Sequence, residues 1–189
     1  MPSDQTQSRI ADAAIEYMNA FGSEKLNLGD VARMAGVGRA TVHRHFGTRD
    51  GLVEAVEERL RDQMAVAIVE EAASREHFHE KVGLIAVLLR RAIVDRESPG
   101  WFGFFSPMER ANLFVGHAGQ NIVHFCQTLR PIVVDAQTCG QIRADLDVDF
   151  TCEWLARICT TFVLDRAIVD IDDEATVVEF FRMHLVGLR

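Results

Sequence analysis

The sequence predicts an all-α protein: an N-terminal three-helix unit built around a helix-turn-helix, then a larger helical domain, with about nine helices in total. Three observations carry this reading. Apolar residues recur at helical spacing through nearly the whole chain, and no segment alternates apolar and polar as a half-buried strand does. Glycines and capping residues punctuate the periodic stretches at helix-length intervals. Hydrophobic residues make up 48% and charged residues 25% of the 189 positions, a balance that supports a packed core and excludes a disordered chain.

The first helix runs from about Ser8 to Phe21, with Ile10, Ala14, Tyr17, Met18 and Phe21 on one face and Gly22 as its stop. A short second helix starts after Asn27, a good N-cap, with Asp30 close to a capping box and Leu28, Val31, Ala32 and Ala35 on its apolar side. Ala35-Gly36-Val37-Gly38 makes the turn, where Gly36 permits a left-handed residue. The third helix, Arg39 to about Phe46, points Val42 and Phe46 inward and leaves Arg39, Thr41, His43, Arg44 and His45 mostly outward. Two short helices joined by a glycine-bearing turn form a helix-turn-helix.

Thr48 caps a long helix carrying Leu52, Val53, Val56, Leu60, Met64, Ala67 and Ile68, which joins the two parts of the chain. The expected division is residues 1–47 for the three-helix domain and 48–189 for the rest, with 48–74 as the connecting helix. Further helices are expected from about Phe78 to Asp95, after the Ser106-Pro107 start signal, from about Gln120 to Thr138 with a bend at Pro131, and over about Asp149–Asp170 and Asp173–Leu188.

The net charge is −8, yet the acids are unevenly placed. Residues 1–50 hold six Lys or Arg and six Asp or Glu, and Val31 to Arg49 contains no acid while carrying four Arg, His43 and His45. A local basic patch on an acidic protein suits phosphate contact with little indiscriminate binding. The polar N-terminus lacks a secretory layout, and no run of eighteen apolar residues exists, so a soluble cytoplasmic protein without a membrane span is expected. Cys126, Cys139, Cys152 and Cys159 contain no CxxC pair and read as buried free thiols, so neither a metal nor a cofactor is expected. There is no nucleophile elbow, phosphate-cradling glycine loop or HExxH helix, which argues against an enzyme.

The segment FGSEKLNLGDVARMAGVGRATVHRHFGTRDGL, Phe21 to Leu52, resembles the DNA-binding signature of the TetR family of transcriptional repressors. A weaker likeness lies at Gly140-Gln141-Ile142-Arg143-Ala144-Asp145 and Trp154-Leu155-Ala156-Arg157. The resemblance implies a homodimer whose third helices enter the major groove, whose last two helices pair with their mates, and whose C-terminal domain binds a small molecule. His43 departs from the pattern, which usually has tyrosine there on the DNA backbone; the substitution suggests pH-dependent binding.

On this reading Arg39 and Arg44 address guanine edges and Thr41 a thymine methyl or a phosphate. Asn27, His43, His45 and Arg49 serve phosphates, helped by the N-termini of the second and fourth helices. Trp101, Phe102, Phe105, Phe114, His117, Asn121 and His124 are the candidate pocket for an unidentified, mostly apolar small-molecule effector, against plain aromatic packing. Phe150, Trp154, Ile158, Phe162, Val177, Phe181, His184 and Leu185 are the candidate dimer interface, and two-fold symmetry predicts a roughly palindromic operator in double-stranded DNA. The expected function is a sequence-specific DNA-binding repressor released by its ligand. The alternative is a small-molecule carrier or adaptor in which the three-helix unit is only structural.

Overall fold

The computed structural model describes residues 2–94, 103–105, 118–164 and 169–188. Among these lie eight α-helices, two short 3-10 segments and no strand, so the all-α expectation holds. The helix expected after Ser106-Pro107 lies outside the described residues, as does the end of the helix expected to reach Asp95. The chain divides into two compact units, residues 1–63 with 99–113, and residues 64–98 with 114–189.

In the first unit α1 spans Pro2–Phe21. It begins earlier than Ser8 because nothing from Pro2 onward breaks a helix: proline is tolerated in a first turn, and Asp4 complements the dipole there. Its inward stripe buries Ile10, Ala14 and Met18. Gly22, at φ 88°, ends it, and its N–H donates to the Met18 carbonyl at 2.8 Å. A 3-10 turn over Ser23–Lys25 leads into α2, Leu28–Met34. The Asn27 side chain caps α2 by accepting from the Gly29 N–H at 2.8 Å. Asp30 bonds Arg33 at 2.9 Å, an i,i+3 pair, instead of reaching back as a capping box would.

Gly36 takes φ 65°, and Val37 donates to the Ala32 carbonyl at 2.9 Å, which turns the chain into α3, Arg39–Phe46. A single fully buried residue, Val42, anchors α3. Two arginines fix the helices to one another: Arg9 donates to the Ala35 carbonyl, and Arg59 bonds Ser8 at 2.9 Å and Asp12 at 2.6 Å. Thr48 Oγ1 accepts from the Gly51 N–H at 3.1 Å and so caps α4, Arg49–Ala73. Leu52, Val56 and Leu60 of α4 are buried, and the helix passes from one unit to the other between Gln63 and Met64.

In the second unit α5, Phe78–Val94, is the central helix, buried without interruption from Val82 to Val87. It packs against α7, Val148–Leu164, and α8, Glu174–His184, while α6, Ala118–Thr138, lies along α7. Gly83 lets α5 and α8 approach closely: a Cβ there would lie 2.8 Å from Val178 Cγ2 and 2.9 Å from Val178 Cα. Helix α6 continues through Pro131 and ends at Gly140, where Gln141 donates to the Ala136 carbonyl at 2.8 Å. The last helix is shorter than expected, since Leu185–Leu188 tightens to 3-10 geometry. Cys152 and Cys159 are buried, but Cys139 is exposed and Cys126 half-buried, which corrects the expectation that all four thiols are inside. Among the described residues no helix is long and apolar enough to cross a membrane.

Candidate nucleic-acid interface

Helix α3 has eight residues and so just over two turns. With Val42 and Phe46 inward, the helical rotation of about 100° per residue puts Arg44 on the outward crest beside Ala40 and Thr41. Arg39 and His43 fall on one flank and His45 on the other. The accessibilities agree: Arg39, His43 and Arg44 are exposed, Thr41 and His45 half-buried. His45 also leans on Phe46, with ring centroids 6.2 Å apart.

The electrostatics favour an anion on this face. Asp30 and Asp50, which bracket the acid-free stretch, are each paired with an arginine, Arg33 at 2.9 Å and Arg49 at 3.3 Å. Among the described residues no carboxylate pairs with Arg39 or Arg44. Their five-donor forks are therefore available to guanine edges or phosphates.

Three expected phosphate residues have internal bonds. The Asn27 oxygen is taken by the cap, leaving its amide N–H groups for an outside acceptor. His43 Nδ1 lies 2.7 Å from the Gly47 carbonyl. Arg49 Nη2 donates to the Ser23 carbonyl at 2.8 Å, 26 residues away in sequence, and so clasps the start of α4 to the 3-10 turn. Lys25, exposed just before Asn27, is a cation that sequence reasoning missed. Its nearness to a helix N-cap was the available signal.

The expected effector residues are described only in part. Trp101, Phe102, Phe114 and His117 lie outside the described residues. Phe105 is buried in the first unit, its ring 4.7 Å from that of Phe104, and Ser23 donates its N–H to the Phe104 carbonyl at 3.4 Å. Asn121 and His124 are half-buried on α6 in the second unit. A cavity of about 460 Å³ in that unit is lined by His77, Phe78, Gln141, Ile142, Arg143 and Leu185.

The expected interface residues also divide. Phe162, Val177, Phe181 and Leu185 are already buried within the single chain, with the Phe162 and Phe181 rings 5.4 Å apart. Phe150 and Trp154 are exposed at 76% and 42%, Ile158 is half-buried and His184 exposed. The open apolar surface of α7 is therefore its Phe150–Trp154 side.

These features define a helical protein with an N-terminal helix-turn-helix whose third helix presents an acid-free, arginine-bearing face. Residues 10–56 match the profile of the bacterial regulatory proteins, tetR family. The HTH-type transcriptional regulator BetI of Rhizobium meliloti (strain 1021) is 28% identical over 110 residues, covering 54% of this chain and 51% of that protein. The chain thus matches about half the length of that curated relative. Among solved structures it is similar to the TetR family repressor AlkX from Dietzia sp. strain DQ12-45-1b, with TM-score 0.69, 21% identity and 96% of each chain covered. It is also similar to the R. erythropolis transcriptional repressor QsdR, with TM-score 0.67, 21% identity and 98% of this chain and 96% of that one covered.

Proposed function

We propose that this protein is a sequence-specific DNA-binding transcriptional regulator acting in the cytoplasm, with α3 as the recognition helix, and that it represses until a small molecule releases it. The observation that carries the reading is the exposed side of α3, where Arg44 on the crest and Arg39 on the flank have no carboxylate partner among the described residues, in a stretch free of acids. Arg44, Thr41 and Arg39 address bases. Asn27, His43, His45 and Lys25 address phosphates. Arg49 holds the frame that presents them.

The proposed assembly is a homodimer formed through the sides of α7 and α8 that carry Phe150, Trp154, Ile158 and His184, and it reads a roughly palindromic operator. A mostly apolar effector in the C-terminal unit is the proposed inducer, with Asn121 and His124 as its described polar contacts. The family profile and BetI are regulators, which favours this reading over a carrier or an enzyme.

The test is selection of bound duplexes from a random pool by the full chain, followed by titration of the recovered sequence against an unrelated duplex. The expected preference for the recovered sequence is at least about a thousandfold. A purified dimer with no preference sinks the proposal and favours the carrier.

A further inference from the structure

We infer that His43 can bond a DNA phosphate only as the imidazolium, so that this one contact of the head with DNA requires a proton; the inference rests on the DNA-binding reading above. It follows from a count of donors and acceptors. His43 Nδ1 lies 2.7 Å from the Gly47 carbonyl oxygen. A carbonyl oxygen only accepts, so the hydrogen is on Nδ1. Gly47 returns a bond, its N–H donating to the His43 carbonyl at 2.9 Å, and its φ of 69° holds the closed geometry. The ring is thus bracketed at the end of α3.

A neutral imidazole has one N–H. With that hydrogen on Nδ1, Nε2 presents a bare lone pair. A phosphate oxygen also only accepts, so the neutral ring cannot bond it. Uptake of a proton from solvent at Nε2 creates the second N–H and a positive charge together, and the Gly47 bond is kept. The other neutral tautomer would offer Nε2–H to phosphate, but it would set the Nδ1 lone pair against the Gly47 oxygen at 2.7 Å. The tyrosine usual in the family pattern donates through its hydroxyl at any pH below about 10 and has no such requirement.

The surrounding charges leave phosphate as the stabilising anion. On α3 itself the other titratable or charged groups are Arg39, Arg44 and His45. On α2, packed against α3, Asp30 is paired with Arg33, and at the start of α4 Asp50 is paired with Arg49. Among the described residues no carboxylate bonds His43. Phosphate favours the imidazolium, so the bound state holds the proton more tightly than the free state. Binding therefore takes up a proton, affinity rises as pH falls, and Kd increases with pH by at most about tenfold per unit for each bound head.

The experiment is fluorescence anisotropy of the full chain with a labelled duplex recovered by selection, between about pH 5.5 and 8 at fixed ionic strength. Alongside it, nitrogen NMR of the DNA-free protein reports the tautomer of neutral His43. Expected are a wild-type Kd that rises with pH, a His43→Tyr slope smaller by about one proton per head, and hydrogen on Nδ1 of His43. A slope in His43→Tyr equal to wild type, or hydrogen on Nε2 in the free protein, overturns the inference and leaves DNA binding standing. Failure of every selected duplex to bind at any pH overturns the DNA-binding reading and this inference with it.

Discussion

The Arg90 guanidinium on α5 donates from Nε to Asp172 at 2.8 Å and from Nη1 to the Phe162 carbonyl at 3.2 Å. It thereby closes the C-terminal end of α7, whose last carbonyls have no partner within the helix, and ties that end to the loop before α8. The side chain is only 10% exposed. Arg90→Ala is expected to cost about 2–3 kcal/mol, because it removes charge-assisted bonds and leaves buried carbonyls unsatisfied. Arg90→Lys should recover little of this, since one ammonium cannot span the carboxylate and the carbonyl as a fork does. Urea unfolding of the three proteins checks it; a lysine variant as stable as wild type would contradict the fork geometry.

Gly83 and Val178 set the closest approach of α5 and α8. Gly83→Ala gains helix propensity of up to about 1 kcal/mol, but its Cβ would lie 2.8 Å from a Val178 methyl carbon and 2.9 Å from backbone. The clash wins, with an expected net loss of about 1–3 kcal/mol. Val178→Ala should relieve only part of it, because the backbone of residue 178 stays in the way. A double-mutant cycle in thermal unfolding measures the coupling, and additive effects would show that the helices separate freely.

Arg44 and Arg49 are expected to fail in different ways. Arg44→Ala should lose about 1–3 kcal/mol on the selected sequence and less on random DNA. Arg49→Ala should lower the melting temperature and weaken binding on every sequence, with the salt slope unchanged, because its guanidinium clasps the Ser23 carbonyl. A slope reduced by about one phosphate equivalent would instead put Arg49 on the DNA.

What the sequence showed of this fold is what is settled within a few residues. Asn27, Gly36, Gly47 and Thr48 act on neighbours one to five positions away, so the helix-turn-helix could be read from cap chemistry alone. The clasp from Arg49 to Ser23 spans 26 residues and the bond from Arg90 to Asp172 spans 82, and nothing local announces either. The Ser23 bond of Arg49 was not legible because a cation in a basic stretch has the same composition whether or not it also bonds inward. For a similar reason the burial of Phe162, Val177 and Phe181 within the single chain was not legible: helical periodicity identifies an apolar face, but it does not say whether a helix of the same chain covers it.

The Asp173 cap offers a pH test with a definite sign. Its carboxylate accepts from the Thr176 hydroxyl and from the Thr176 N–H at 3.0 Å, and these bonds hold its pKa below the ordinary aspartate value, the hydroxyl bond first. A carboxyl group depressed in the folded state stabilises above its unfolded pKa, and that stability is lost as pH falls through the folded pKa. Asp173→Ala is therefore expected to melt below wild type at neutral pH, with the gap narrowing below about pH 4. Asp173→Asn should keep part of the neutral-pH stability, since an amide oxygen can still cap, and should show little of the acid dependence. Melting curves of the three proteins across pH check it, and a gap that persists unchanged in acid would show that Asp173 acts by packing and not by its charge.

The thiols differ enough to be counted by reaction. Burial pushes the Cys159 thiol up to about 12, and burial followed by the nearby Cys126 pushes Cys152 up to about 11. Only the thiolate attacks a disulfide reagent, so near pH 8 these two hold roughly one thiolate in a thousand or fewer, behind packed side chains. Cys139 is exposed at the end of α6. Ellman's reagent on the native protein should therefore modify Cys139 first and Cys126 more slowly, and leave Cys152 and Cys159 untouched until denaturant opens the second unit. Mass spectrometry of the modified peptides reads the order directly. Early labelling of Cys159 would mean that α7 leaves its place against α5 in the native state, and the Arg90 bonds to the end of α7 could not then be holding it closed.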